Sequence, residues 1–436
     1  MASLALALIA FGACERPFVP EASPKIEVVE PGLEQVLTQP VIPVRIAATS
    51  FRPVTRVEID GEALARSEAT GQWQDTLHLE PGVNTFVVTA YDQEGVEGAD
   101  TVLAVYLPLH VSDAAPALPE PRGGHTATLL ANGDLLVTGG APAYGGAASA
   151  DTFLLPSSGS AFTTLDAKMT TPRAGHTATL LPDGRVLILG GALHDSLQSS
   201  ADLVATAELY DPATRTFQTV PIEGSPVRRI YHTTAAVTSG GETEILVYGG
   251  IGVPPGSDEA EILGNLVRYT FRNDSLIADS TPIGAFVGEP IYGHTQTLLL
   301  PDAGPPRYLV AGAYFWTGEP ISANFVLSLR ADGGQDENAV APFAVPRIRH
   351  AAVTLMPGLV ALLGGHSFSA SDVLSSGEVF VDASQEVYRL PEAVVLRKRF
   401  GQTATKRSSH RILVVGGFGV DGAGLTASEF LEIESD

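Results

Sequence analysis

Between residues 25 and 108 the chain alternates apolar and polar positions in short blocks: Ile26-Glu27-Val28, Val44-Arg45-Ile46, Val57-Glu58-Ile59, residues 85–90 and residues 102–105. Successive side chains of a strand point to opposite faces, so period-two runs of this length predict half-buried strands. Asp60-Gly61 and Pro81-Gly82 separate them as turns. A β-sandwich of roughly 80 to 100 residues is how such strands bury their apolar faces.

Beyond Pro108 a longer period takes over. The block PRGGHTATLLANGDLLVTGG (121–140) returns as PRAGHTATLLPDGRVLILGG (172–191), and looser copies begin at Val227, Pro290, Pro346 and Lys398. Their anchors, His125, His176, His232, His294, His350 and Gln402, follow one another at intervals of 51, 56, 62, 56 and 52 residues. In the second copy the pattern predicts a strand at 176–181, a turn at Pro182-Asp183-Gly184 and a strand at 185–189 ended by Gly190-Gly191. A third strand runs through 208–211 and a fourth through Phe217. Tyr210 with Phe217, Phe153 with Phe162, and Phe380 with Tyr388 are expected to fill the space between neighbouring repeats.

Six copies of about 50 residues, five of them ending in a glycine pair and the fourth in Gly312-Ala313, resemble kelch repeats over about three quarters of the chain. The resemblance implies an all-β protein with a six-bladed β-propeller over 109–436. The last copy stops soon after its third strand, so the missing outer strand is expected from residues 110–118, closing the ring. The stretch LHLEPGVNTFVVTAYDQEG (77–95) resembles the late strands of bacterial immunoglobulin-like domains. That likeness implies an immunoglobulin-like β-sandwich over 25–108, a spacer or adhesive module.

Composition agrees with this reading and narrows the partners. The chain is 44% hydrophobic and 17% charged, enough apolar surface for packed cores, while 45 Gly and 31 Pro disfavour helices. Lys and Arg total 26 against 49 Asp and Glu, a net charge of -23 that repels phosphate backbones and excludes a nucleic-acid partner.

At the N-terminus an apolar run, Leu4 to Phe11, precedes Gly12, Ala13 and Cys14. The run is shorter than the roughly 20 residues a membrane-spanning helix needs. It reads as an export signal or, alternatively, as a buried strand with a core cysteine; Pro17, Pro20 and Pro24 suit a tether over 15–24. With Cys14 after small residues, segment 1–14 resembles a bacterial lipoprotein signal. This implies lipidation of Cys14 and an exported protein at the outer membrane or cell surface, or in the periplasm, touching the membrane only through its lipid. Cys14 is the sole cysteine, so no internal disulfide forms.

Candidate chemistry is sparse. Arg122, Arg173, Arg229, Arg347 and Arg399 stand three residues before their anchors, with Ile291 the exception. Asp151, Glu208, Asn324, Glu378 and Glu429 recur on the third strands. The arginines pair with these residues in the framework, or they form a basic ring that draws an anionic ligand to one mouth of the channel. The anchor histidines, one per repeat, are expected to lie far apart on a ring and to brace turns; metal ligands must converge to about 2.0–2.2 Å from one ion. Asp92, Glu94 and Glu97 form a solvated loop or supply oxygens to calcium.

No HExxH, CxxC or GxSxG pattern occurs, and Gly416-Gly417-Phe418-Gly419 lacks the Lys-Ser/Thr of a phosphate loop. No metal and no cofactor is expected. Galactose oxidase and its copper-radical relatives also carry kelch repeats, but their cofactor joins a tyrosine to a cysteine, and Cys14 is the only cysteine here. Recognition therefore falls to the dissimilar loops after the glycine pairs, with Tyr144, Tyr314, Phe315, Trp316, His366, Phe368 and Phe418 as candidate contacts. These rings either meet a ligand or fold back over the blade edge. The expected function is that of a non-catalytic, monomeric binding protein for a protein or glycan; the alternative is a carbohydrate-active enzyme of the sialic-acid type.

Overall fold

The computed structural model describes residues 23–32, 35–239, 241–254, 256–279, 290–299, 307–312, 324–329, 335–339, 342–367 and 372–434. Cys14, Tyr314, Phe315, Trp316 and Phe368 lie outside the described residues. The chain divides into two compact units, Met1–Leu33 with Gln39–Val105, and Glu34–Thr38 with Tyr106–Asp436.

Among the described residues the first unit holds two four-stranded sheets. One has the order Lys25–Glu30, Val41–Thr49, Trp73–His78, Ala65–Arg66, and the other Glu62–Ala63, Val54–Ile59, Gly82–Asp92, Glu97–Tyr106. Alternation puts Val44, Ile46, Val57 and Val88 into one core with Trp73. Asp60 and Gly61 take φ of 48° and 88°, the left-handed pair that a two-residue hairpin needs to join Val54–Ile59 to Glu62–Ala63. Asn84 braces the Pro81-Gly82 turn, accepting from the Glu80 N–H at 2.9 Å and donating to its carbonyl at 2.8 Å. Asp92 is a loop anchor: its Oδ1 accepts the N–H groups of Glu94 and Val96, both at 2.9 Å.

The second unit is built, among the described residues, around six sheets of four or five strands. Sheet I comprises Thr126–Leu129, Leu135–Thr138, Thr152–Leu155 and Thr163–Thr164; sheet II comprises Thr177–Leu180, Val186–Leu189, Ala207–Asp211 and Thr216–Val220. Sheet III comprises Thr233–Ser239, Glu242–Tyr248, Leu266–Arg272 and Ser275–Ala278, extended by Ile222–Glu223, which runs parallel to its neighbour. Sheet IV comprises Thr295–Leu299, Arg307–Ala311, Asn324–Leu329 and Gln335–Ala339; sheet V comprises Ala351–Met356, Leu359–Leu363, Gly377–Val381 and Glu386–Arg389. Sheet VI comprises Thr403–Ser408, Arg411–Val415 and Ser428–Ile433, and its outermost strand is Leu109–Ser112, with Leu431 opposite Val111.

The first strands of these sheets contact one another in a closed cycle, I to VI and back to I. Apolar clusters lie between sheets: Leu136 and Leu154 of sheet I meet Ile188 and Tyr210 of sheet II, and Leu413 and Val415 of sheet VI meet Val137 and Phe153 of sheet I. A sheet covered on both faces needs apolar residues at every position of its central strands. This is why Val186–Leu189 and Leu359–Leu363 are buried throughout.

Candidate functional site

The residue just before each anchor opens the site. Gly124, Gly175, Tyr231, Gly293, Arg349 and Gly401 all have positive φ, from 51° to 69°. In that conformation each N–H donates to the carbonyl of the equivalent residue one sheet back: Gly175 to Gly124 at 2.8 Å, Tyr231 to Gly175 at 2.9 Å, Gly293 to Tyr231 at 3.1 Å, and Arg349 to Gly293 at 2.7 Å. Gly401 to Arg349 at 2.7 Å and Gly124 to Gly401 at 2.8 Å complete a closed ring of backbone bonds. Glycine adopts this geometry freely, whereas Tyr231 and Arg349 bear a strain of about 1–2 kcal/mol each.

The anchors form the next layer. His176 hydrogen-bonds through Nε2 with Thr126 and Thr138, both at 3.2 Å; His294 does so with Thr233 at 3.0 Å, His350 with Thr295 at 2.9 Å, and His125 with Thr403 at 3.1 Å. Gln402 donates to the Leu363 carbonyl at 2.7 Å. Each histidine ring wedges against the glycine that follows the second strand of the preceding sheet. A Cβ on Gly190 would stand 2.6 Å from His232 Cε1 and 2.7 Å from the Arg229 carbonyl, and Gly139 and Gly416 are held in the same way against His176 and His125. Histidine and glycine therefore recur together because each makes room for the other.

All six anchors line one cavity of 230 Å³ inside the cycle of first strands. Burial first, then nearby arginines, pushes His125 and His232 down to about 3, and burial alone does so for His294. They are neutral, and among the described residues no group of three or more His, Cys, Asp or Glu is placed to hold a metal ion.

The arginines do not form a ring open to an anion. Each is buried and braces its own sheet. Arg173 donates to the Gly190 carbonyl at 3.0 Å and to Glu208 at 2.6 Å, and Glu208 also accepts the Thr170 and Thr171 N–H groups. Arg347 repeats this with Gly364 and Glu378, and Arg399 with Gly416 and Glu429. Arg122 pairs with Asp151 at 3.1 Å, and Arg229 with Asn265 at 2.9 Å. Ile291 fills the fourth position as a buried apolar residue.

One arginine outside this set reaches the axis. Arg349 Nη2 contacts Asp195 Oδ1 at 2.9 Å and Oδ2 at 3.0 Å, with side chains 7% and 0% exposed. Its guanidinium carbon lies 4.5 Å from the ring centre of Tyr231, 5.1 Å from Phe400, 5.4 Å from Phe418 and 5.5 Å from Tyr144. The Tyr231 hydroxyl donates to the Asp195 carbonyl oxygen. Burial pushes the Asp195 carboxyl up to about 6 against the pull of Arg349.

Of the aromatic candidates, Tyr144 is 55% exposed and borders this pair, and His366, half-buried, packs edge-on against Phe400 at 5.9 Å. Phe418 departs from the expectation of a ligand contact: it is fully buried, pressed onto Gly123, where a Cβ would come within 2.4 Å of its ring. Sequence reasoning missed Asp195 as a partner of Arg349, and missed both Arg349 and Tyr231. The available signal was a bulky residue at a position where four of six repeats carry glycine.

No protein-family model and no curated protein matches the chain. Among solved structures, a fungal alcohol oxidase of the AA5 family in complex with copper aligns over 80% of this chain and 68% of its own, with a TM-score of 0.48 and 17% identity. YjhT aligns over 74% of this chain and 98% of its own, with a TM-score of 0.56 and 14% identity. The fold is a kelch-like β-propeller. Within the propeller, the repeated arginines, histidines and glycines are framework, and the axial mouth around Arg349 and Asp195 is where the repeat is broken.

Proposed function

We propose that the chain is a six-bladed kelch propeller following an immunoglobulin-like domain, and that it is an exported, lipid-anchored, non-catalytic recognition protein binding a protein or glycan at the axial mouth. The sheet orders of the first unit correspond to the ABED and C′CFG orders of immunoglobulin sandwiches. The six sheets in closed cycle are the six blades, and Leu109–Ser112 is the closing strand. The address rests on Cys14 after its apolar leader. The recognition reading rests on one observation: Tyr231 and Arg349, the two departures from glycine in the axial ring, meet loop residues Tyr144 and Asp195 in one aromatic and charged place.

The test is binding of the full chain to an oligosaccharide library and to envelope proteins, with Tyr144→Ala beside wild type. At least a tenfold loss on Tyr144→Ala is expected; unchanged binding would place recognition elsewhere. Cys14→Ser should release the protein from the membrane fraction. The enzyme reading has one observation in its favour, the Asp195 carboxyl raised to about 6, suited to a general acid near neutral pH. It requires that Asp195→Asn abolish glycan turnover while binding persists.

A further inference from the structure

The axial mouth holds a cation whose hydrogen-bonding fork is only partly used. Guanidinium groups grip a carboxylate best through two parallel N–H···O bonds from two nitrogens. Arg349 instead gives both contacts to Asp195 from Nη2 alone, at 2.9 and 3.0 Å, and among the described residues no protein acceptor is bonded to its Nη1 or Nε. The side chain is 7% exposed and enclosed by four aromatic rings, so a charge-assisted bond formed there is weakly screened by water.

A seat for a carboxylate is also built into the backbone ring. Gly124 is the glycine under Asp195: a Cβ there would lie 2.0 Å from Asp195 Oδ1. The missing side chain is what admits a planar acidic group beside Arg349. Asp195 reaches that seat from the loop after Gly190-Gly191, where its N–H donates to the Gly146 carbonyl at 3.0 Å and the neighbouring His194 pairs with Ala147. The Tyr231 hydroxyl ties the Asp195 backbone carbonyl to the ring, while the carboxyl itself is held by Arg349 Nη2.

We propose that Arg349 is the recognition centre for a small organic carboxylate carrying a ring-shaped body, and that Asp195 is the internal carboxylate such a ligand displaces. The proposal rests on the axial mouth being the recognition site. The ligand's carboxylate takes the two-nitrogen fork that Asp195 does not, and its body lies against Tyr144 and Tyr231. A carboxylate fits better than a tetrahedral anion because the seat above Gly124 already accommodates a planar one.

The test is titration of the full chain with benzoate and galacturonate, with benzyl alcohol and galactose as neutral counterparts. Wild type should bind the acids and not the neutral pair. Asp195→Asn, which removes the internal competitor, should bind the acids at least tenfold more tightly. Asp195→Asn with Arg349→Gly, which restores the ring's majority residue, should lose acid binding at least hundredfold. Equal affinity of wild type and Asp195→Asn, or acid binding retained by the double variant, overturns the proposal. Should Asp195→Asn not fold, the Nε–H resonance of Arg349 in ¹⁵N-labelled wild type decides: it shifts with benzoate and not with benzyl alcohol, and equal response to both or to neither overturns it. Neutral galactose binding that is lost in Tyr144→Ala would keep the recognition site while ending the carboxylate assignment.

Discussion

The anchor histidines show how a repeated residue can look like chemistry and act as framework. Burial holds all five below their ordinary value, three of them at about 3. As pH falls below about 6.5 the unfolded chain takes up these protons while the folded chain does not. Stability is therefore full above that pH and is lost as pH falls toward 3, by about 1.4 kcal/mol per pH unit for each histidine. The sixth repeat already replaces histidine with Gln402, so His176→Gln should fold and lower this acid slope by up to about 1.4 kcal/mol per pH unit, read from urea unfolding between pH 6.5 and 5; an unchanged slope would refute it. Asp195 runs the other way. Its carboxyl is raised to about 6, so its proton is kept on folding between about pH 4 and 6 and the associated stability is lost as pH rises through that window. The difference in stability between wild type and Asp195→Asn should change across that interval and be flat above pH 7.

At the scale of the element, the arginine brace and the glycine pair set the blade. Arg173 and Glu208 are both 0% exposed, so removing one leaves the other's charge buried and unpaired. Arg173→Ala should cost about 3–5 kcal/mol in chemical denaturation, where a surface pair would cost under about 1 kcal/mol. Gly190→Ala should destabilise by more than Gly184→Ala. Both have positive φ, but a Cβ at Gly190 meets His232 and the Arg229 carbonyl, while one at Gly184 meets nothing within 4 Å. Equal losses would show that backbone strain alone explains these glycines. Much of this was legible in the sequence, since hairpin and glycine pair recur together and alternation marks Val41–Thr49 and Val54–Ile59 as half-buried strands. Trp73–His78 was not legible, because only Trp73 of that strand is buried and the period-two signal is lost. Asn265, the partner of Arg229, was not singled out, although it stands one residue before Leu266–Arg272 as Asp151 stands one residue before Thr152–Leu155.

At the scale of the whole molecule, periodicity reveals the scaffold and conceals the site. Asp195 and Arg349 are 154 positions apart and share no pattern, so only closure of the cycle brings them together. What the sequence did carry was the breach itself: Tyr231 and Arg349 where Gly124, Gly175, Gly293 and Gly401 define the rule. The central claim is that the repeat supplies stability and its departures supply recognition. It is tested most directly by a thermal-shift screen of sugars, sugar acids and other small organic acids on the full-length wild type beside the folded Asp195→Asn, Arg349→Gly double variant. A ligand at a hundredfold excess over its Kd stabilises by about 2.7 kcal/mol, well within reach of the method. Ligands that stabilise wild type should leave the double variant unmoved; equal stabilisation of both proteins would contradict the account.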